Sequence, residues 1–356
     1  MKDKSPTLIK NIYYMLSYAF QVLRHSNYAE VAAEEFNNVP DLYAAILAAG
    51  IGQQLKQGLY RVYASCSENL SVVRGRIDIR RTIENKFQRK PQVFCHYDVL
   101  TEDNVFNQIL KTTTAILLKS KFVDEKRADS LRRLAPYFQG IDNLDPNDIR
   151  WNTIRYERNN QSYEMLLNIC YFTLKGLLLT TEKGTYKVRE FLDDLSMSRL
   201  FEKFVLEYYR YHHPELQAAP RQVQWDTDRK TASLLPIMKT DITLKHGEKT
   251  LIIDTKYYSQ VMKVHSLYGT TSLHSANLYQ IYAYVKNVDP GNTGNISGML
   301  LYAKTDERIA PDLEAIIGGN RIAVKTLDLN LPFSEIENQL DGIAFASFPK
   351  YASALS

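Results

Sequence analysis

The segment Met238–Tyr258, MKTDITLKHGEKTLIIDTKYY, constrains this chain more than any other, because its two alternating stretches close naturally into a hairpin that gathers charged residues. Asp241, Thr243 and Lys245 alternate with Ile242 and Leu244, and the apolar run Leu251–Ile253 ends in Asp254, Thr255 and Lys256, a pattern that predicts two strands. Gly247 and Glu248 lie between them as the turn. Antiparallel pairing about that dipeptide sets Lys245 opposite Thr250 and, in the same register, Asp241 opposite Asp254. Cross-strand neighbours have Cβ atoms about 4.5–5.5 Å apart. That is unfavourable for two bare carboxylates but suits two ligands of one divalent cation. Lys256, two residues beyond Asp254, shares its strand face.

The residue types have a chemical reading. Oxygens from Asp241, Asp254 and the Thr255 carbonyl suit Mg²⁺, which polarises a phosphate and lowers the pKa of a bound water. Lys256 is placed to orient that water or to stabilise charge developing on phosphorus. A solvated hairpin with an ordinary Asp–Lys pair has the same pattern, and these residues alone leave both readings open. In the predicted helix Ser198–His212, Leu200, Phe201, Phe204, Val205 and Tyr208 form the apolar stripe and leave Glu202 at its edge, where a plain flanking charge is equally in keeping. In the predicted helix Ser272–Lys286, Gln280 and Tyr284 are four apart and share a face. There they either serve a phosphate or a water at the metal, or are ordinary polar residues.

A chain of 356 residues exceeds the usual single core, and its 45% hydrophobic content is enough for two. Helices are predicted over 8–24, with Ile9, Ile12, Tyr13, Leu16, Phe20 and Leu23 on one face, over Asn104–Lys121, Glu125–Leu134 and Ser162–Leu179, and strands over Ile296–Tyr302 and Arg321–Leu329. The break in pattern at Gly140–Pro146 and beyond predicts an α+β domain over 1–155 and an α/β domain over 156–356, a mixed sheet flanked by helices. No run of eighteen apolar residues suggests a transmembrane helix, and the N-terminus lacks the marks of a signal peptide. Cys66, Cys95 and Cys170 are odd in number and widely spaced, which predicts buried free thiols in a reducing cytosol. The formal charge of +4 is small, but Lys56–Lys90 holds nine basic residues against three acidic ones. Within it NLSVVRGRIDIRRTI alternates like a strand or hairpin carrying Arg74, Arg76, Arg80 and Arg81. It reads as a solvated face or as a contact for phosphates or an acidic partner.

The order of these elements resembles the PD-(D/E)XK nuclease superfamily, its RecB-like branch in particular: Glu202 on a helix, Asp241 on a strand, Asp254-Thr255-Lys256 on the next, Gln280-x-x-x-Tyr284 on the helix after. More narrowly, NIYYMLSYAF, VRGRIDIRRTI, YDVLTEDNVFNQILK, MSRLFEKFV, TDITLKHGEKTLIIDTKYY and HSANLYQIYAYV are similar to the McrC family, the nuclease subunits of McrBC modified-cytosine restriction systems. The likeness spans nearly the whole chain. It departs from the superfamily's name in one position, Thr240 standing where a proline would precede Asp241. The resemblance implies a restriction-endonuclease-like fold for the second domain, metal binding by Asp241 and Asp254, catalysis by Lys256, and support from Gln280, Tyr284 and, less directly, Glu202. It further implies a DNA endonuclease whose N-terminal domain docks a hexameric AAA+ GTPase and stimulates it. No G-x-x-x-x-G-K-[ST] loop occurs in the chain, so GTP is expected on the partner. A motor-independent RecB-like nuclease and a catalytically silent GTPase activator are the rival expectations.

Overall fold

The computed structural model describes residues 6–20, 34, 36, 38–160, 162–183, 194–227, 234–257, 262–264, 271–304 and 310–355. Two compact units divide the chain, Tyr43–Leu174 and a discontinuous one of Met1–Leu42 with Lys175–Ser356. The elements in chain order begin with α1 (Pro6–Ala19), α2 (Val39–Gln57), β1 (Val62–Leu70), β2 (Arg76–Ile77), α3 (Ile79–Phe87), β3 (Val93–Thr101), α4 (Val105–Leu118), α5 (Glu125–Leu134) and α6 (Tyr163–Lys183). They continue with α7 (Asp194–His212), β4 (Gln222–Val223), β5 (Met238–Lys239), β6 (Ile242–His246), β7 (Lys249–Lys256), β8 (Met262–Val264), β9 (Thr271–Leu273), α8 (Ser275–Val288), β10 (Ile296–Ala303), β11 (Leu313–Ile317), β12 (Asn320–Leu327), α9 (Phe333–Ser347) and α10 (Pro349–Leu355). Among the described residues no helix is long and apolar enough to cross a membrane.

The unit Tyr43–Leu174 is α+β. Its antiparallel sheet runs β1–β3–β2, and its helices carry their own core residues, among them Ile109, Leu110, Leu131 and Leu166. The basic segment differs from the strand or hairpin its alternation predicts. β2 has only two residues, because Asp78 caps a helix: its side chain accepts from the Arg81 N–H at 3.0 Å, which puts Arg80 and Arg81 on α3. Arg74 lies over the Tyr97 ring and Arg81 over Phe94, each within 4.5 Å of the ring centre. Cys95 and Cys170 are buried, whereas Cys66, on the partly open strand β1, is only half-buried.

The discontinuous unit holds a five-stranded mixed sheet of order β11–β12–β10–β7–β6, in which β7, β10 and β12 run parallel and the two edges antiparallel. Helix α1 belongs here although it is first in the chain. Ile9, Ile12, Tyr13 and Leu16 are buried, Asn11 Nδ2 donates to the carbonyls of Leu329 and Leu331 at 2.8 Å, and Tyr14 stacks on Phe333. The sequence therefore misplaces the boundary at 155/156: one break falls at Leu174, a second at Leu42, since a stripe that reads as core does not say which core it enters. The outer part of the expected first helix, Leu23 included, lies outside the described residues. Helix α8 starts at Ser275, not Ser272, since Thr271–Leu273 pairs as β9 with β8.

Helix α8 links β7 to the parallel strand β10 and seals the sheet with Ile281, Tyr284 and Val285 against Ile252, Leu300, Tyr302, Ile322 and Val324. Gly298 permits this approach. A Cβ there would lie 2.8 Å from Ile281 Cγ1 and Val285 Cγ2 and 3.0 Å from Ile322 Cδ1. Gly298→Ala is therefore expected to lower stability by about 1–3 kcal/mol, the scale of core overpacking, read as a lower midpoint of urea unfolding. An unchanged midpoint would show that α8 rests on the sheet more loosely than this.

Candidate active site

The β6–β7 hairpin has the predicted register, Ile242 opposite Ile253 and Lys245 opposite Thr250, and turns on Gly247 with φ +59°. A positive φ at the first central residue is what a tight turn between twisted strands needs, and glycine takes it without strain. Ile252 of β7 lies in one apolar cluster with Ile281 and Val285 of α8. Side chains two apart share a face, so Asp254 and Lys256 are directed to the same helix.

Asp254 is fully buried, at 0% exposure. Its Oδ2 lies 2.6 Å from Lys256 Nζ, and its Oδ1 has no hydrogen-bond partner among the described residues. Burial pushes the Asp254 carboxyl up to about 6, with the Asp241 charge adding to the rise and Lys256 opposing it. Lys256 is itself largely covered, its side chain 15% exposed. Its Nζ donates to Gln280 Oε1 at 3.2 Å, Gln280 Nε2 donates to the Tyr284 hydroxyl at 2.9 Å, and that hydroxyl donates to the Lys239 carbonyl at 3.1 Å. The Tyr284 acceptor thus sets which end of the Gln280 amide meets the lysine.

Asp241 sits one residue before β6, and here the structure departs from a simple facing pair. Its Oδ2 accepts from the Thr255 N–H at 2.8 Å and from the Thr255 hydroxyl at 3.0 Å. The cause is Thr240. Its N–H donates to the Arg221 carbonyl, its hydroxyl accepts from the Arg221 N–H, both at 2.9 Å, and that hydroxyl also meets Thr243 Oγ1. The chain kinks out of the ladder at 240–241, and the Asp241 carboxylate takes up the Thr255 N–H that the ladder has lost. The threonine that stands for proline is thus the residue that holds the kink. In an extended strand a residue's N–H and C=O point to the same side, so the Thr255 carbonyl is on the Asp241 side as well.

Glu202, half-buried on α7, lies within electrostatic reach of both aspartates. Its carboxyl is raised by burial first, then by Asp241 and Asp254, and lowered by Lys239 and Lys256. The neighbouring Phe201 ring lies 6.5 Å from that of Tyr257, just past β7. The structure thus brings together Glu202, Asp241, Asp254, Lys256, Gln280 and Tyr284. Lys239 is the one the sequence reading passes over, its only signal being a place two residues before Asp241.

Among the described residues no three His, Cys, Asp or Glu side chains are grouped to hold a metal, so Glu202 stands as a neighbour and not a third close ligand. The donor set of two carboxylates and a backbone carbonyl still fits Mg²⁺, which commonly takes one or two carboxylates and fills its shell with waters and substrate phosphate oxygens. The orphaned Oδ1 of Asp254 is the specific sign of fit. A buried carboxylate oxygen without a partner is costly, and a cation would satisfy it.

The chain is similar to known proteins along most of its length. The family model for McrBC, described as a 5-methylcytosine restriction system component, matches residues 4–303. The chain is 30% identical over 336 residues, 93% of its own length and 95% of the relative's, to the type IV methyl-directed restriction enzyme EcoKMcrBC of Escherichia coli strain K12. Its fold is similar to that of a chain in the assembly of Thermococcus gammatolerans McrB AAA+ hexamers with bound McrC, with a TM-score of 0.51 at 15% identity, covering 94% of this chain and 76% of that one. With a family match along most of the sequence and a relative alike over nearly all of it, the chain belongs to the McrBC 5-methylcytosine restriction system component family.

Proposed function

We propose that this chain is the DNA-cutting subunit of a GTP-dependent restriction complex directed at modified cytosine. In this reading it works in the cytoplasm, hydrolyses phosphodiester bonds with Mg²⁺ and stimulates a partner AAA+ GTPase hexamer that alone binds the GTP. The family and the methyl-directed relative support the restriction role, and the McrB hexamers with bound McrC support the partner. The observation that carries the cutting role is Asp254: a fully buried carboxylate with an orphaned oxygen, against Lys256 and beside Asp241.

Asp241, Asp254 and the Thr255 carbonyl would hold Mg²⁺, which when bound supplies Lewis-acid polarisation of the phosphate and a more acidic water. The chain's own residues do the rest. Lys256, restrained by Asp254 and Gln280, places a positive charge where negative charge grows on the phosphoryl oxygens. Gln280 and Tyr284 hold the ammonium in one position, which spares reorganisation during the reaction. Glu202 adds a third negative field that favours a cation in the site. In the α+β unit, Arg74, Arg76, Arg80 and Arg81 are exposed beside Val72, Ile79 and Phe87, which are 77%, 72% and 84% exposed. Basic and apolar side chains together suit a protein partner better than a bare phosphate backbone does.

Asp254→Asn is expected to lose calorimetric binding of Mg²⁺ or Mn²⁺ and to reduce GTP-dependent cleavage of methylated DNA by at least about 10²-fold, the scale for one electrostatic stabiliser. Lys256→Ala should lose cleavage to a similar degree yet keep metal binding, because it acts on phosphate and not on the ion. Cleavage undiminished by Asp254→Asn would sink the catalytic assignment, and a wild-type chain that binds no metal yet activates a GTPase would establish the silent activator instead. Replacing Arg74, Arg76, Arg80 and Arg81 together by Ala should impair assembly with the GTPase or its stimulation while sparing metal binding. Normal assembly with reduced DNA affinity would move the docking surface elsewhere.

A further inference from the structure

Lys239 lies on the outer face of the β4–β5 hairpin that leads into Asp241. Gln222 pairs with Lys239 and Val223 with Met238. Along the second strand exposure alternates: Ile237 is 77% exposed, Met238 buried, Lys239 exposed, Thr240 buried. Side chains at alternate positions share a face, so Ile237 and Lys239 form an outward strip that runs towards Asp241.

The hairpin is held firmly at its base. Tyr284 donates to the Lys239 carbonyl, the Asp226 N–H donates to Asn287 Oδ1 at 2.7 Å, and Trp225 Nε1 donates to the Pro236 carbonyl at 2.7 Å. Val223 and Met238 enter the same apolar cluster as Ile281 and Tyr284. The backbone of Lys239 is therefore tied to α8, the helix that also carries Gln280.

Charge requires something at this position. A nucleic-acid strand approaching Asp241, Asp254 and Glu202 meets three carboxylates, and Lys256, the lysine between them among the described residues, is already engaged with Asp254 and Gln280. Lys239 is exposed, and its positive charge opposes the rise that burial gives the Glu202 carboxyl. Lys239 stands two residues before Asp241, beside the bend at 240–241, so a phosphate held over Asp241 has its neighbour along the strand within the sweep of the long lysine side chain. A lysine, a flexible point charge, suits a phosphate that shifts as its neighbour is cut.

We infer that Lys239 contacts the DNA backbone phosphate adjacent to the one cleaved, and so positions the scissile phosphate over Asp241 and Asp254. This rests on the nuclease reading above. The rival for the same residue is a surface lysine that only screens Glu202.

The test uses the full chain with Ca²⁺ in place of Mg²⁺, a labelled methylated DNA duplex, and binding measured over a series of KCl concentrations. Lys239→Ala and Lys239→Gln should weaken binding and lower the slope of log affinity against log salt by about 1, the signature of one lost phosphate contact. Lys239→Arg should restore most of that slope, and Mn²⁺ affinity should be unchanged in all three variants. In the assembled complex the two neutral variants should raise KM for DNA more than they lower kcat. If the wild-type chain binds both metal and DNA while the neutral variants keep its affinity and its slope, Lys239 only screens Glu202 and the inference is overturned with the nuclease reading intact. If the wild-type chain binds neither metal nor DNA, the nuclease reading itself falls and takes the inference with it.

Discussion

The point at which the β6–β7 ladder stops decides the rest of the site. A backbone N–H left without a partner inside a sheet costs about 1–3 kcal/mol, and the kink at Thr240 would leave the Thr255 N–H in that condition. The Asp241 carboxylate removes the penalty by accepting from it and from the Thr255 hydroxyl. Both hydrogen bonds fall on one oxygen, Oδ2. Asp241 is thus held in place by a need of the sheet, and the same carboxylate is one of the two proposed to bind the metal.

Asp254 depends on the same strand geometry in another way. A shift of one residue along β7 would turn Asp254 and Lys256 to the opposite face and away from Gln280. What prevents it is packing: Ile252 and Ile253 are buried on either face, and α8 closes onto the first of them across Gly298. The helix that seals the core also carries Gln280 and Tyr284, four residues apart, so core packing and the placement of Lys256 rest on the same contact. Burial in turn makes the charges effective, because a carboxylate and an ammonium shielded from water act more strongly on one another and on a bound anion.

The two units differ in the chemistry of their side chains. The discontinuous unit collects the carboxylates, lysines and polar relay of the candidate active site. The α+β unit presents a basic, partly apolar surface on β2, α3 and the loop before them. Alpha-helix capping by Asp78 is what separates the arginines into two sets, Arg74 and Arg76 on the loop and strand, Arg80 and Arg81 on the helix. That spread makes a broad surface out of a short stretch of chain.

Local sequence determined the β6–β7 register, the turn at Gly247, the shared face of Asp254 and Lys256, and the pairing of Gln280 with Tyr284, because each follows from strand or helix periodicity over a few residues. It also carried the family motifs in order along nearly the whole chain. Only the tertiary structure decided that Thr240 leaves the ladder for Arg221, that Asp241 turns onto Thr255, and that Lys239 comes within reach of Glu202, since each depends on a partner distant in sequence. The same holds for α1: its apolar stripe announced a buried helix, but burial is a property of the surface it meets, and the helix is tied through Tyr18, Asn11 and Tyr14 to Phe204, Leu329 and Phe333, far along the chain. Periodicity specifies which face is hidden; long-range packing alone specifies what hides it.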